Sequence, residues 1–251
     1  MIKLLFTSDT HGYLPKIEKE FNLLGICGDI CPAHDHNNAY QRKWLETTFV
    51  PWVKGLPFKD DYSKVVLVGG NHDLVFESCS ASFIRNLSNI SDGRLVVLNN
   101  ESYDFVYEPG RTIKVFGTPY CKMFGSWAFM KPNDILKNKY DEIPEGLDLL
   151  MSHDSPRLCG LGFLYQEWHT DAGNPLLDEA ILEKKPRMFF SGHLHSGNHE
   201  VSTEGETTMA NVALVDERYR PTYPVLGITY DPDERKVVDT EKVPVEVIES
   251  K

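Results

Sequence analysis

The chain has 251 residues, with 26 basic against 37 acidic side chains, a formal net charge of −11 and 41% hydrophobic residues. That is globular composition, long enough for one well-cored domain, and it excludes disorder, collagen and coiled coil. No apolar run approaches the roughly 18 residues of a membrane span. The apolar start is also too short for a signal peptide, so the expectation is a single domain over 1–251, cytoplasmic and without a membrane partner.

In chain order, Ile2–Thr7 and Leu23–Cys27 read as buried strands. Tyr40–Lys54 has helical character, with Trp44, Leu45 and Trp52 as core candidates and a kink or interruption expected at Pro51. Lys64–Val68 is a β-branched strand ended by Gly69-Gly70. Arg94–Leu98, Glu101–Tyr107 and Thr112–Phe116 read as a meander. Leu147–Ser152 and Met188–Ser191 are two more buried strands. Between them Pro175–Lys185 reads as a helix capped by Asn174, with Leu176, Leu177, Ala180 and Ile181 on one face. Thr207–Val215, Val225–Asp231 and Lys236–Val238 complete the strands, and Arg220–Pro224 is a crossing loop. Helices alternating with buried strands argue an α/β fold, and the excess of strands argues two sheets.

The acidic balance restricts partners. Affinity for long nucleic acids comes largely from phosphate neutralisation by basic surface, and the chain has no basic run. Phosphates would have to be attracted locally, as bound metal ions can do. Five dispersed cysteines suit a reducing compartment better than a disulfide framework. Cys27 and Cys31 read as a buried strand residue and a loop residue, since no second pair completes a zinc site.

The polar residues at the ends of the buried strands are the informative feature. Asp9-Thr10-His11-Gly12 comes after the first strand and Gly28-Asp29 after the second. Gly69-Gly70-Asn71-His72-Asp73 comes after the third. His153-Asp154 and Gly192-His193-Leu194-His195 come after two later ones. Five of the nine histidines lie in these motifs. Ligands of open α/β sheets bind at the carboxyl ends of strands, so these ends would converge on one pocket. Imidazoles with carboxylates suit borderline divalent ions such as Mn, Fe or Zn. Two such ions, sharing one aspartate, form a clamp for in-line displacement at phosphorus.

The set Asp9-x-His11, Gly28-Asp29, Gly70-Asn71-His72-Asp73, His153 and Gly192-His193-x-His195 resembles the full motif set of the calcineurin-like metallophosphoesterase superfamily. Lys114–Pro119, Phe124–Phe129, Ile143–Asp148 and Asn211–Pro224 are similar to the metallophosphoesterase-domain-containing branch, itself similar to class III cyclic-nucleotide phosphodiesterases. The resemblance implies a four-layer αββα sandwich, two mixed β-sheets flanked by helices. It implies two divalent metal ions, the first on Asp9, His11, Asp29 and His195. Asn71, His153 and His193 would complete the second, with Asp29 bridging. His72 would be a phosphate contact and general acid. One departure is Pro32, which stands where purple acid phosphatases carry a tyrosine, so a Tyr–Fe(III) centre is not expected.

Other residues stay open between two readings. The loop Pro32–Asn38, with His34 and His36, lines the substrate pocket or is a solvated loop. Phe124 and Trp127 form a base-stacking platform or, as the reading favours, a core cluster with Tyr120 and Phe129. Asp154 tunes the site or pairs with turn amides. Gly160–Gly173, with Tyr165, Trp168, His169 and Asp171, is a long loop that could shape the site. Asn211 is a substrate-binding candidate by resemblance, and His34 by its place in the loop. The expected activity is hydrolysis of a small phosphodiester or nucleotide, cyclic nucleotides included, by a metal-bridging hydroxide. The alternatives are a catalytically silent scaffold that keeps the fold, and a nuclease of the same superfamily.

Overall fold

The apolar runs form the centres of two six-stranded sheets in a computed structural model that describes residues 1–164, 169–244 and 246–250. In the first sheet the order is Lys236–Val243, Val225–Asp231, Ile2–Thr7, Leu23–Ile26, Lys64–Val68 and Leu95–Leu98. The last four are mutually parallel, and the first two run antiparallel to their neighbours. In the second the order is Ser202–Glu204, Thr207–Asn211, Met188–Ser191, Leu149–Ser152, Arg111–Thr118 and Glu101–Glu108. Its four inner strands are parallel and its two edges antiparallel.

Alternation along each strand builds the layers, because successive side chains leave a strand on opposite faces. Ile2, Leu4 and Phe6 enter the core between the sheets, while Leu5 packs under helices. Met188 and Phe190 enter the same central core, and Phe189 faces the other helices. Phe6 and Phe190 meet across the sheets with ring centroids 4.0 Å apart. Helical segments within Asn38–Lys54 and the helix Ala81–Ile90 cover the first sheet; Asn133–Asp141 and Pro175–Lys184 cover the second. The result is the αββα sandwich the resemblance implied.

Several expectations are corrected. Arg94–Leu98, Glu101–Tyr107 and Thr112–Phe116 do not form a meander. Leu95–Leu98 ends the first sheet, parallel to Lys64–Val68, and the chain crosses at Asn99-Asn100 to the edge of the second. Asn100 takes a left-handed conformation (φ 57°) that lets the chain change direction. Near Pro51 the expected interruption takes the form of a change in winding and not of an end to the helical run. The turn before it, Leu45–Phe49, is π-wound, the kind of local adjustment that accommodates a residue without an N–H. Trp52 is only half-buried, its Nε1 donating to Pro15 O (3.1 Å). The segment 160–173 is in part a small hairpin, Phe163–Leu164 pairing with Thr170–Asp171. Tyr165 and Trp168 lie outside the described residues. Among the described residues no helix is long and apolar enough to cross a membrane.

Candidate metal centre

The parallel strands of both sheets end at one rim, and the polar motifs lie just past those ends. The loops lock together through the backbone: Asp9 N donates to Gly28 O, His11 N to Asp29 O and Gly12 N to Ile30 O, each at 2.9 Å. Asp9, His11, Asp29 and His193 all have positive φ (48°, 44°, 52° and 67°). Such backbone costs of order 1–3 kcal/mol per residue and persists where surrounding structure enforces it, typically at functional sites. Two glycines are required by close approach. A Cβ on Gly70 would lie 2.1 Å from Asp29 Oδ1, and one on Gly192 would lie 2.0 Å from Asp9 Oδ2.

Five of the expected residues converge, all buried. Asp9, His11 and His195 can offer ligand atoms within 4.8 Å of one another, and so can Asp9, Asp29 and His153. Asp29 Oδ2 is 3.8 Å from His11 Nε2 and 3.5 Å from His153 Nε2, so it lies between the two groups. Its other oxygen accepts from the His72 amide (2.7 Å). Asn71 joins through Oδ1, 2.8 Å from His153 Nε2. His193 donates its backbone N–H to Asp9, and its ring lies 4.9 Å from that of His153. The His72 ring lies 5.1 Å from that of His11.

The donors suit a cation. His153 Nδ1 faces the carbonyl of Cys27 (2.9 Å), and His195 Nδ1 that of Asp216 (3.1 Å). Each nitrogen must carry hydrogen to make that bond, the way metal-ligating histidines are held. The other ring nitrogen, Nε2, lies 2.8 Å from Asn71 Oδ1 in His153 and 3.2 Å from Asp9 Oδ1 in His195, and against burial the Asp9 contact pulls the His195 pKa up. A divalent cation can take the place of protons at such contacts, because its ligands are the same nitrogens and oxygens in deprotonated form. Both ring nitrogens of His11 are buried without a hydrogen-bond partner, a costly state unless a ligand takes one.

Electrostatics agree. Burial, followed by the Asp73 and Asp9 charges, pushes Asp29 well above the usual carboxylate range. Burial opposes ionisation of Asp9, but its hydrogen bond and charge interaction with His195 win and hold it down. Burial keeps His11 and His193 neutral, their values driven well down. His72 is pushed down to about 4, by burial first and then by His36.

The second tier of residues falls out differently. His34 lines a cavity of about 350 Å³ with His11, Pro32 and Tyr219. Asn211 lies beneath the site, its amide nitrogen 2.7 Å from Leu194 O and its oxygen accepting from Ala213 N, so the side chain is engaged by protein. Asp154 takes the turn reading: it accepts from Lys122 N, Ser155 N and Asn174 Nδ2. The aromatic stretch splits. Tyr120 and Phe129 pack together in the interior, but Phe124 is 66% exposed and Trp127 36%. The Phe124 ring lies 5.5 Å from His193 and the Trp127 ring 4.6 Å from His72. Tyr219, 39% exposed, lies 4.7 Å from His11. Three aromatic side chains thus border the site, where a core cluster was favoured for two of them.

Sequence reasoning gave no role to Asp73, Gln41 or Tyr219. Asp73 is fully buried and accepts from Ile30 N, Cys31 N and Gly70 N. Its place in the Gly-Asn-His-Asp run was the only available signal.

The profile of the calcineurin-like phosphoesterase family matches residues 2–197. The chain is 31% identical over 236 residues to a UPF0046 protein of Caenorhabditis elegans, across 88% of this chain and 78% of that one. It is 27% identical over 199 residues to metallophosphoesterase domain-containing protein 1 of Homo sapiens, across 72% of this chain and 58% of that one. Among solved structures, TT1561 of Thermus thermophilus superposes with a TM-score of 0.58 at 12% identity, over 97% and 99% of the two chains. The phosphopantetheinyl hydrolase of Mycobacterium tuberculosis gives 0.51 at 14%, over 86% and 90%. Those two likenesses show the fold. The extent of the family match makes this chain a member of the calcineurin-like phosphoesterase family, whose enzymes depend on metal ions.

Proposed function

We propose that the chain is a dinuclear metal-dependent phosphoesterase acting on a small phosphodiester or nucleotide. The observation that carries this reading is the buried convergence of Asp9, His11, Asp29, His153 and His195, with both ring nitrogens of His11 left without a partner. Asp9, His11, Asp29 and His195 would hold one ion, and Asn71, His153 and His193 the other. Asp29, which lies between the two groups, would be shared. When bound, such ions supply Lewis acidity toward phosphoryl oxygens and a nucleophile at neutral pH.

The rest is done by side chains. His72, held neutral, offers a hydrogen bond to a phosphoryl oxygen, which counts most where charge develops. The buried loops exclude water and fix the donors. Phe124, Trp127 and Tyr219 supply flat apolar surface for a planar group on the ester. The net charge of −11 disfavours long nucleic acids.

The test is metal analysis followed by assays on phosphomonoesters, phosphodiesters and cyclic nucleotides with Mn, Fe and Zn. About two ions per chain at saturation and metal-dependent turnover of a small ester are expected. One ion at saturation would overturn the dinuclear reading, and no turnover with any metal would overturn the enzyme. His72→Ala should keep metal and lose roughly 10²-fold in turnover.

A further inference from the structure

His72 has an imidazole partner that no motif accounts for. His36 Nε2 lies 2.8 Å from His72 Nδ1. Both rings pack on Trp127, with centroids 4.8 Å and 4.6 Å from it. His36 immediately precedes Asn37, whose side chain caps the helix Asn38–Trp44 by accepting from Ala39 N. That helix is fastened to the His72 turn by a buried glutamine. Gln41 Nε2 donates to His72 O (2.7 Å), and Gln41 Oε1 accepts from Val75 N (3.0 Å). The helix therefore fixes the His72 backbone through Gln41, and the residue leading into its cap, His36, meets the His72 ring.

A neutral imidazole carries one hydrogen, on one of its two nitrogens, and the bond made by the other nitrogen decides which. If Nδ1 of His72 accepts from His36, the hydrogen of His72 stands on Nε2. If Nδ1 donates, Nε2 is a bare lone pair. Nε2 makes no hydrogen bond to protein among the described residues. The His72 ring neighbours those of His11 and Tyr219 at 5.1 Å and 6.4 Å, and both of these line the cavity at the site. A lone pair there would repel a phosphoryl oxygen, whereas an N–H would bind it. Among the described residues the His36 ring makes no second hydrogen bond to dictate its tautomer, so its Nε2 can be the donor.

We infer that His36 is a positioning residue that donates from Nε2 to His72 Nδ1, and so presents His72 to the phosphoester as an Nε2–H donor. The inference rests on the phosphoesterase reading above. It fixes the nitrogen from which His72 presents its hydrogen, and takes His36 out of the solvated-loop reading.

Two variants separate the hydrogen bond from packing. His36→Gln keeps a donor and His36→Leu keeps bulk against Trp127 without one. Long-range ¹H–¹⁵N correlation on histidine-labelled, metal-free protein at neutral pH reads which His72 nitrogen carries hydrogen. Expected is Nε2 in wild type and His36→Gln, and a mixture in His36→Leu. In the metal-loaded enzyme, kcat on a small phosphodiester should fall roughly tenfold or more in His36→Leu with KM little changed. His36→Gln should recover most of it. Hydrogen on Nδ1 of wild-type His72, or equal losses in the two variants, would overturn the positioning role while leaving the phosphoesterase reading intact. Wild-type protein inactive with every metal would overturn that reading instead, and the tautomer measurement would still decide the His36–His72 geometry.

Discussion

Asp73 Oδ1 accepts a 2.9 Å hydrogen bond from the amide of Cys31, two residues beyond Asp29, and so ties two motif loops 42 residues apart in sequence. Its Oδ2 accepts from Ile30 N (3.2 Å) and Gly70 N (2.9 Å). Asp73→Ala leaves three buried amides without an acceptor. The expected loss is about 3 kcal/mol of stability or more, with Asp73→Asn, which keeps one acceptor, less damaging. Urea unfolding of the metal-free proteins measures both. A loss within about 0.5 kcal/mol, the range of an ordinary surface change, would refute the tie.

Gly192→Ala puts a Cβ 2.0 Å from Asp9 Oδ2 and 2.1 Å from Ser8 Oγ. The carboxylate must move. Metal affinity should drop about 10–100-fold, as when a group orienting a ligand is lost. Calorimetric titration of Mn²⁺ into metal-free protein measures this, and unchanged affinity would show that Asp9 is not needed where it stands.

His193→Gly removes one proposed donor of the second ion and leaves Asp9, His11, Asp29 and His195. Turnover should fall at limiting metal and recover in part with excess metal or at higher pH, with the fold retained. A rate-versus-metal titration at two pH values compares the proteins. Equal turnover at limiting metal would exclude His193 from the ligand set.

Removing metal should soften the fold, because the buried carboxylates and imidazoles at the rim then lack their counter-charge. Returning Mn²⁺ at a hundred times its Kd should add about 2.7 kcal/mol, a rise in Tm of about 5–10 °C for a chain of this size. Thermal scans with chelator and with graded Mn²⁺ test this. A Tm indifferent to metal would argue against binding to the native state.

Asp216 accepts from Arg218 N (2.9 Å), Arg220 N (3.0 Å) and Arg220 Nε (2.8 Å). Burial opposes its charge, but the Arg220 bond and the amides outweigh burial and pull it down to about 2. Its folded pKa lies below the unfolded one, so the unfolded chain takes up the proton first as pH falls. The stabilisation is whole above the usual carboxylate range and is lost as pH falls toward 2. The stability gap between wild type and Asp216→Asn should be constant from neutrality to about pH 5 and shrink below about pH 4. A gap that held to about pH 3 would deny Asp216 that role.

Much of this molecule is local in origin and therefore legible in sequence. Short continuous apolar runs give strands such as Ile2–Thr7 and Met188–Ser191 their identity as buried strands. The Asn174 cap and Pro175 start a helix within a few residues of themselves. The order of Asp, Asn and His after each strand end is a property of the chain, and parallel strands bring such ends to one rim.

What the tertiary structure alone decided involves partners distant in sequence. The pattern of Leu95–Leu98 is equally compatible with either sheet, and only its pairing with Lys64–Val68 assigns it. Trp127 and Phe124 are apolar enough for a core, and only the packing of the rest leaves them at the rim beside His72 and His193. A histidine in a polar loop looks the same whether solvated or engaged. His36 acquires its partner because the helix that follows it docks, through Gln41, on a turn formed 31 residues later. Hydrogen bonds of that reach depend on distance in space, which no spacing along the chain encodes.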